Sequence, residues 1–241
     1  MKLAIVGYGK MGRLIEQLAP YYGFEPALIL DVHNNAGGAG LTAENFRGMA
    51  AAIEFTGPES APENLLRLAA LRVPTVCGAT GWYARLGEVK EAFENSGTGL
   101  IYGPNFSIGV NIFERIVTEA ARLFSAQPDY EAWAWEIHHS AKKDAPSGTL
   151  LKLVEAMRRA GYGARIDTAS NRAGSIPGTH EIGFDSAADT VTLRHTARSR
   201  EGFARGALWA ARRLTGGLKG CHEFSEVLFG GAVREDNEQE A

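Results

Sequence analysis

Short apolar runs alternate with amphipathic stretches in the first part of the chain. The apolar runs are typical of strands buried in a parallel sheet, and they lie at residues 2–6, 27–30, 51–56, 73–77 and 100–102. Between them, apolar side chains recur at helical spacing at residues 11–19, 62–71 and 84–95. This order of elements predicts an α/β fold that begins with a Rossmann-type dinucleotide-binding domain.

The pattern becomes strand-rich after Pro128. Strands are predicted at residues 130–137, 165–171, 179–185 and 190–196. Helices are predicted at residues 150–160 and 203–214, and another is expected to begin after Ser107 as its N-cap, with core positions at residues 113–124. We expect a second, α+β domain built on an open mixed four-stranded sheet, after which the last helix returns to the first domain. The predicted boundaries are residues 1–106 plus 201–241 for the first domain and 107–200 for the second, with a solvated charged end at residues 234–241.

Two histidines share the apolar faces of these later strands. In one predicted strand His180 occupies the same alternate positions as Ile182 and Phe184, and in the next His195 occupies the same alternate positions as Leu193. A single histidine in such a pattern is more often a satisfied core or interface residue than a reactive one. Neither is therefore assigned to the catalytic set.

A glycine-rich turn joins the first predicted strand to the first predicted helix. It has the form Gly-x-Gly-x-x-Gly, and Asp31 follows the second strand about twenty residues later. In this arrangement the backbone approaches a pyrophosphate at a helix N-terminus, and the acid binds the adenosine ribose. The predicted cofactor-binding residues of this region are Gly7, Tyr8, Gly9, Lys10, Met11, Gly12 and Asp31. The alternative is that the glycines only turn the chain.

The identity of the cofactor stays open between NADH and NADPH. The carboxylate of Asp31 favours the free 2'-hydroxyl of NADH, because it would repel a 2'-phosphate. Lys10 could supply a compensating positive charge and so admit NADPH. The preference for NADH is a hypothesis that initial rates with both cofactors would test.

Composition narrows the functional classes. The chain has 241 residues and a formal net charge of −3, which argues against a dedicated nucleic-acid binder. Two cysteines, Cys77 and Cys221, cannot form a disulfide framework, and no Cys or His spacing resembles a metal site. Since no apolar run is long enough for a bilayer and the N-terminus lacks the pattern of an export signal, we expect a cytoplasmic protein without membrane partners.

A polar cluster at residues 136–149 joins the end of a predicted strand to the start of a predicted helix. It contains His138, His139, Lys142 and Lys143, and an imidazole can give or take a proton near neutral pH. Asp144, Ser147 and Thr149 suit the N-cap of the following helix, whose free N–H groups form an anion site. The segment is interpreted as an acid/base group beside a carboxylate receptor. The alternative is a half-exposed polar patch that only caps its helix.

This cluster carries a resemblance to a known family. The sequence His-His-Ser-Ala-Lys-Lys-Asp-Ala-Pro-Ser-Gly-Thr at residues 138–149 closely resembles the signature of the dihydrodipicolinate reductase family. Further segments resemble other landmarks of that family in the same order, at residues 54–56, 78–81, 104–109 and 199–207. The resemblance implies an NAD(P)H-dependent enzyme that reduces 4-hydroxy-tetrahydrodipicolinate to tetrahydrodipicolinate in lysine and diaminopimelate biosynthesis.

The resemblance also implies roles for single residues of the cluster. His138 would be the general acid, and Lys142 would be a second proton donor or a cation that stabilises charge near the ring nitrogen. His139, Gly148 and Thr149 would hold the carboxylates of a small cyclic dicarboxylate substrate. The second domain would accordingly bind the substrate.

On the cofactor side, the resemblance places Gly78, Ala79 and Thr80 near the nicotinamide, although these residues could equally form a plain strand-to-helix turn. It also adds Gly103, Pro104, Asn105 and Phe106 to the cofactor-binding set. The open face of the second sheet is expected to pack against copies of itself in a homotetramer. Because cofactor and substrate groups lie on different domains, the domains are expected to close by a hinge.

Two rival interpretations use the same first domain. A related Rossmann-type amino-acid or diamine dehydrogenase would bind the same cofactor but would not need the paired histidines and lysine before Asp144. A non-catalytic dinucleotide sensor would have no use for an acid/base cluster. A substrate panel followed by NADH absorbance separates all three possibilities.

Overall fold

The structure is a computed structural model that describes residues 1–230. Its strands are β1 Lys2–Val6, β2 Glu25–Leu30, β3 Ala51–Glu54, β4 Thr75–Cys77, β5 Gly99–Tyr102, β6 Glu131–His138, β7 Ile166–Arg172, β8 Thr179–Asp185, β9 Thr190–Thr196 and β10 Gly220–Glu223. Its α-helices are α1 Lys10–Leu18, α2 Ala61–Ala70, α3 Leu86–Ser96, α4 Ile108–Phe124, α5 Gly148–Arg159, α6 Glu201–Thr215 and α7 Phe224–Leu228. The predicted solvated end at residues 234–241 lies outside the described residues.

Two compact units divide the chain. One unit contains residues 1–107 and resumes at Phe203, and the other contains residues 108–202. Among the described helices, none has both the length and the apolar character that crossing a bilayer requires.

The first unit contains a six-stranded parallel sheet in the order β10-β5-β4-β3-β1-β2. Its inner strands β3, β4 and β5 are mostly apolar and buried along their whole length, as expected when helices cover both faces of a parallel sheet. Helices α2 and α3 pack on this sheet through a core that includes Leu65, Leu68 and Phe93. Because β1, β2 and β3 run in the same direction, the residues that follow them meet at one edge of the sheet. The predicted Rossmann-type architecture is confirmed.

Strand β10 and the short helix α7 were not predicted. All four residues of β10 are only partly buried, and Gly-Cys-His-Glu contains no apolar run that would indicate a strand. Its position beside β5 comes from backbone pairing of Gly220 with Gly99 and of Glu223 with Tyr102. The edge strand is therefore defined by its pairing partner rather than by its own sequence.

The second unit contains the mixed four-stranded sheet that the sequence predicted, in the order β7-β6-β8-β9. Strand β6 is parallel to β7 and antiparallel to β8, and β8 is antiparallel to β9. Helices α4 and α5 share one core with the inner face of the sheet, where Phe113, Leu153 and Phe184 pack together. The register places Glu136 of β6 opposite His180 of β8, so both side chains belong to this buried face.

Candidate functional site

A cavity of about 820 Å³ lies at the carboxyl edge of the first sheet. Its wall includes Gly7, Tyr8 and Gly9 after β1 and Asp31 after β2. Gly7 has φ +98°, and a Cβ atom there would lie 2.6 Å from the carbonyl oxygen of Phe55, so only glycine permits this close approach. Helix α1 starts directly after Gly9, whose N-cap position has no side-chain hydrogen bond. This arrangement leaves backbone donors for an anion, as a pyrophosphate requires.

Asp31 is held in place at the wall of this cavity. Its Oδ1 accepts hydrogen bonds from the backbone N–H groups of His33 at 2.8 Å and Asn34 at 3.4 Å. Arg13 and Arg67 line the same cavity, and Arg67 donates to the carbonyl oxygen of Gly38. The wall of the cavity therefore carries positive charge without Lys10.

The remaining residues of the glycine-rich turn do not line this cavity. Lys10, Met11 and Gly12 belong to α1, and Lys10 is exposed. Lys10 was predicted as the cation that could accommodate a 2'-phosphate. Arg13 and Arg67 are better placed for that role because they belong to the cavity wall.

The turns after β4 and β5 lie at the same edge of the sheet but outside this cavity. Gly78, Ala79 and Thr80 follow β4, and the carbonyl oxygen of Ala79 accepts a hydrogen bond from Trp82 at 2.9 Å. Gly103, Pro104, Asn105 and Phe106 follow β5. The Asn105 side chain accepts a hydrogen bond from the backbone N–H of Ser107 at 2.8 Å, next to the start of α4. Phe106 is buried, with its ring centroid 4.6 Å from that of Phe224.

A buried carboxyl group organises the end of β3. Glu54 is 0% exposed, and its side chain accepts hydrogen bonds from the backbone and hydroxyl groups of Thr56, from Asn64 and from the Cys77 thiol. Burial raises the pKa of Glu54, and these hydrogen bonds oppose part of that rise. Burial also raises the pKa of Cys77, and the nearby Glu54 raises it further by a smaller amount. Cys77 is thus a core thiol.

In the second unit, His138 ends β6 and shares the buried face of that strand with Glu136. Nδ1 of His138 is hydrogen-bonded to one carboxylate oxygen of Glu136. The other oxygen accepts from the backbone N–H of Ser147 at 3.1 Å and from Arg172 at 2.8 Å. Burial alone would raise the pKa of Glu136, but the hydrogen bond from Arg172 and the neighbouring His138 hold it below its usual range. Glu136 is therefore a buried, ionised carboxylate with a full set of donors.

The opposite ring nitrogen of His138 faces Gly178, which precedes β8. Gly178 has φ +150°, and a Cβ atom there would lie 2.8 Å from Nε2 of His138. The missing side chain therefore leaves room for the imidazole at this point. Burial lowers the pKa of His138, Glu136 raises it, and the positive charges of Lys142 and Arg172 lower it further.

His180 is a buried neighbour of this pair. Its ring centroid is 5.1 Å from that of His138, edge to face, and its Nε2 lies 3.3 Å from the hydroxyl of Ser147. Burial and, to a smaller extent, the nearby His138 lower the pKa of His180 to about 4, so the ring is neutral at physiological pH. The sequence identified it correctly as a buried residue but gave no sign that it adjoins the cluster.

Helix α5 begins directly after Ser147, whose hydroxyl accepts from the backbone N–H of Leu150 at 3.2 Å. Ser147 is therefore the N-cap, and Asp144 lies outside the helix. Gly148 and Thr149 form the first turn of α5 and are at least partly exposed. The capping interpretation is thus correct for Ser147, and Gly148 and Thr149 lie at the positive end of the helix.

Basic groups surround this helix N-terminus. Nζ of Lys142 lies 2.7 and 2.9 Å from the two carboxylate oxygens of Asp144, whose pKa this contact lowers. Arg172 also donates to the backbone carbonyl of Asp144. His139 is half-buried, whereas Lys143 is exposed, as expected of a solvated charge. The local charge favours an anionic ligand.

The donor atoms of Glu136, His138 and His180 lie within 4.8 Å of one another, a spacing that would also suit a metal ion. Both oxygens of Glu136 are already occupied by His138, Arg172 and Ser147, and the guanidinium of Arg172 supplies the positive charge. The cluster is therefore better suited to holding and moving a proton than to binding a cation.

Comparisons with known proteins identify the family of this chain. Family models described as the N-terminus and the C-terminus of dihydrodipicolinate reductase match residues 1–106 and 109–228. A 4-hydroxy-tetrahydrodipicolinate reductase of Christiangramia forsetii is 32% identical over 227 residues, covering 89% of this chain and 92% of the relative. The enzyme of the same name from Bdellovibrio bacteriovorus is 30% identical over 229 residues, covering 95% and 97%.

A solved structure has the same fold. Dipicolinate-bound dihydrodipicolinate reductase from Paenisporosarcina superimposes with a TM-score of 0.79 at 21% identity, covering 94% of this chain and 99% of that chain. A probable dehydrogenase from Thermotoga maritima reaches a TM-score of 0.58 at 9% identity over 95% of this chain and 93% of its own. At these identities the likeness concerns the fold.

Proposed function

This chain belongs to the dihydrodipicolinate reductase family, and from that membership we propose that its 136–149 segment carries out the proton transfer of the family reaction. The reaction is the NAD(P)H-dependent reduction of 4-hydroxy-tetrahydrodipicolinate to tetrahydrodipicolinate in lysine and diaminopimelate biosynthesis. The observation that supports the assignment of residues is the buried His138–Glu136 pair beside the basic N-terminus of α5.

The first unit is suited to hold the dinucleotide. The close approach at Gly7, the open N-terminus of α1 and the carboxylate of Asp31 fit a pyrophosphate and an adenosine ribose. When bound, the nicotinamide supplies the hydride. Cofactor binding is proposed for Gly7, Tyr8, Gly9 and Asp31 at the cavity wall, and for Lys10, Met11 and Gly12, which form the N-terminus of α1. Further candidates at the same sheet edge are Gly78, Ala79, Thr80 and residues 103–106.

Asp31 favours NADH because it can accept from a free 2'-hydroxyl. Arg13 and Arg67 stand in the same cavity and would offset the repulsion of a 2'-phosphate, so NADPH is expected to bind as well. Initial rates at low cofactor concentration test this order. A kcat/KM much higher with NADPH than with NADH would contradict the preference.

His138 is the proton donor in this proposal. Loss of the 4-hydroxyl group of the substrate as water gives a conjugated imine. Hydride addition to this imine leaves electron density that a proton must neutralise, and an imidazolium is the group that supplies the proton near neutral pH. Lys142 provides a second proton or a fixed positive charge near the ring nitrogen. His139, Gly148 and Thr149 hold the substrate carboxylates, the last two through donors at the N-terminus of α5.

The dipicolinate named in the Paenisporosarcina structure supports a small dicarboxylate as the ligand of this chain as well. Purified protein is expected to oxidise NADH only when 4-hydroxy-tetrahydrodipicolinate is supplied, and pyridine-2,6-dicarboxylate should compete with that substrate. Reduction of amino-acid or diamine precursors in its place would favour the dehydrogenase alternative. Binding of NADH without turnover on any dicarboxylic imine would favour the sensor.

We further propose a homotetramer formed through the second sheet. The face of β6 that points away from α4 and α5 carries Trp133, Trp135 and Ile137, all only partly buried. A central stripe with two tryptophans is unusual for a solvent-facing sheet and is typical of an interface core. Light scattering of the purified protein should give four times the mass of one chain, and a monomer would contradict the proposal.

A further inference from the structure

We propose that Glu136 is a positioning residue of the reductase: its carboxylate holds Nδ1–H of His138, so that Nε2 is the nitrogen that delivers the proton to the substrate. This inference deepens the proposed function and rests on it. Neither the family resemblance nor the comparisons assign a role to Glu136. The role follows from how the carboxylate is buried and what it contacts.

Glu136 is 0% exposed, and burying a charge is costly unless hydrogen bonds and opposite charge compensate for it. Here both oxygens are occupied, one by Nδ1 of His138 and the other by Ser147 N–H at 3.1 Å and Arg172 at 2.8 Å. An isolated core position would be filled more cheaply by an apolar side chain. The arrangement is instead that of a fixed acceptor aimed at one imidazole nitrogen.

The charged and titratable groups that face His138 are Glu136 from β6, Lys142 from the following loop, Arg172 from β7 and His180 from β8. Lys142 and Arg172 are cations and disfavour a second positive charge, and His180 is neutral. Among the described residues, Glu136 is the acid that raises the pKa of His138. The imidazolium form that a general acid needs therefore depends on this one carboxylate.

With Nδ1 bound to Glu136, Nε2 lies at the opposite edge of the ring, against Gly178, whose missing side chain makes room for it. Arg172 fixes the carboxylate from the neighbouring strand, since the register pairs Arg172 with His138. Tautomer and orientation of the proton donor are thus set by contacts from three strands, as a triad sets them in other acid/base enzymes.

Glu136→Gln keeps the shape of the side chain but removes its charge. The pKa of His138 is then expected to fall. Because a general acid is active only when protonated, the alkaline limb of the pH–activity profile should move to lower pH. Near neutral pH, kcat should fall at least about tenfold. NADH affinity should not change, because Glu136 belongs to the second unit. Glu131→Gln, an exposed position on the same strand, is the matched control and should behave as the wild type.

A double-mutant cycle with His138→Gln separates positioning from general support of the fold. If Glu136 acts through His138, Glu136→Gln should cost much less kcat in the His138→Gln background than in the wild type. Equal losses in both backgrounds would overturn the proposal. Glu136→Asp, which keeps the charge, should recover part of the activity and of the pH profile.

Even if Glu136→Gln does not fold, a measurement on the wild type shows whether Glu136 holds Nδ1–H of His138. In nitrogen-15 NMR of histidine-labelled protein, with His138→Gln used for assignment, the neutral ring of His138 should carry its proton on Nδ1. A proton on Nε2 would overturn the proposal. The tautomer of His138 can be measured without turnover. A wild-type protein with the expected tautomer but without reductase activity would therefore refute the proposed function, while the role of Glu136 in holding the ring would stand.

Discussion

Replacing Gly178 by alanine tests whether the space beside His138 matters for turnover. The new Cβ would lie 2.8 Å from Nε2 and 3.0 Å from Cδ2 of the imidazole. To reach ordinary van der Waals contact, the ring or the backbone must move by roughly half an ångström. Because Glu136 holds the opposite edge of the ring, the movement is expected to weaken the Nδ1 hydrogen bond and displace the proton donor.

The expected size of the effect follows from this displacement. A shift of about 1 Å in a reacting group can cost on the order of 100-fold, so half of that shift should lower kcat by roughly tenfold or more. The φ of +150° adds backbone strain of roughly 1–3 kcal/mol for a residue with a side chain, which should appear as a lower Tm. NADH affinity should be unchanged, since the cofactor cavity is lined by residues of the first unit.

Steady-state kinetics, NADH fluorescence titration and a thermal melt of Gly178→Ala give these three quantities. Gly174→Ala is the matched control, because Gly174 lies in the same loop with φ +53° but has open space where its Cβ would stand. The control should lose some stability and keep its turnover. If Gly178→Ala keeps wild-type kcat while its Tm falls, the space at Nε2 is irrelevant to catalysis and the reasoning is refuted.

Three further predictions concern other parts of the molecule. Asp31→Ala should raise the Kd for NADH measured by fluorescence while kcat changes little, because the carboxylate binds the ribose and takes no part in the chemical step; an unchanged Kd would remove Asp31 from the site. Burial raises the pKa of Glu54, so the folded chain holds that proton more tightly than the unfolded chain and stability is lost as pH rises through the folded value. The gain in Tm of Glu54→Gln over the wild type should therefore be larger at about pH 8 than at about pH 5. The opposite trend would contradict the conclusion that this site favours the uncharged carboxyl group. Trp133→Glu should shift the mass measured by light scattering from tetramer to a smaller species, and a retained tetramer would show that this face of β6 is not the interface.

Much of the first unit could be predicted because its function is carried by local backbone geometry. The close approach at Gly7 and the carboxylate after β2 follow from a strand, a turn and a helix that are adjacent in sequence. The cation of the cavity could not be assigned in the same way. Arg67 reaches it from α2, and only the packing of that helix on the sheet brings the guanidinium to the carbonyl of Gly38.

The 136–149 segment was recognised as an acid/base cluster because its polar residues are contiguous. Its partners could not be found by reading along the chain, since Arg172, Gly178 and His180 belong to β7 and to the start of β8. Their position beside His138 is decided by strand register, and a shift of one residue would turn the side chains of Arg172 and His180 to the other face of the sheet. Glu136 stood inside the recognised segment, but its role became visible only with its partners.

The most direct test of the account is the turnover of His138→Gln, measured together with its affinity for NADH. The account predicts that kcat falls by roughly two to four orders of magnitude, the usual contribution of one acid/base group, while the Kd for NADH stays at the wild-type value. A variant that reduces 4-hydroxy-tetrahydrodipicolinate at the wild-type rate would contradict the account, because the proton would then come from another group.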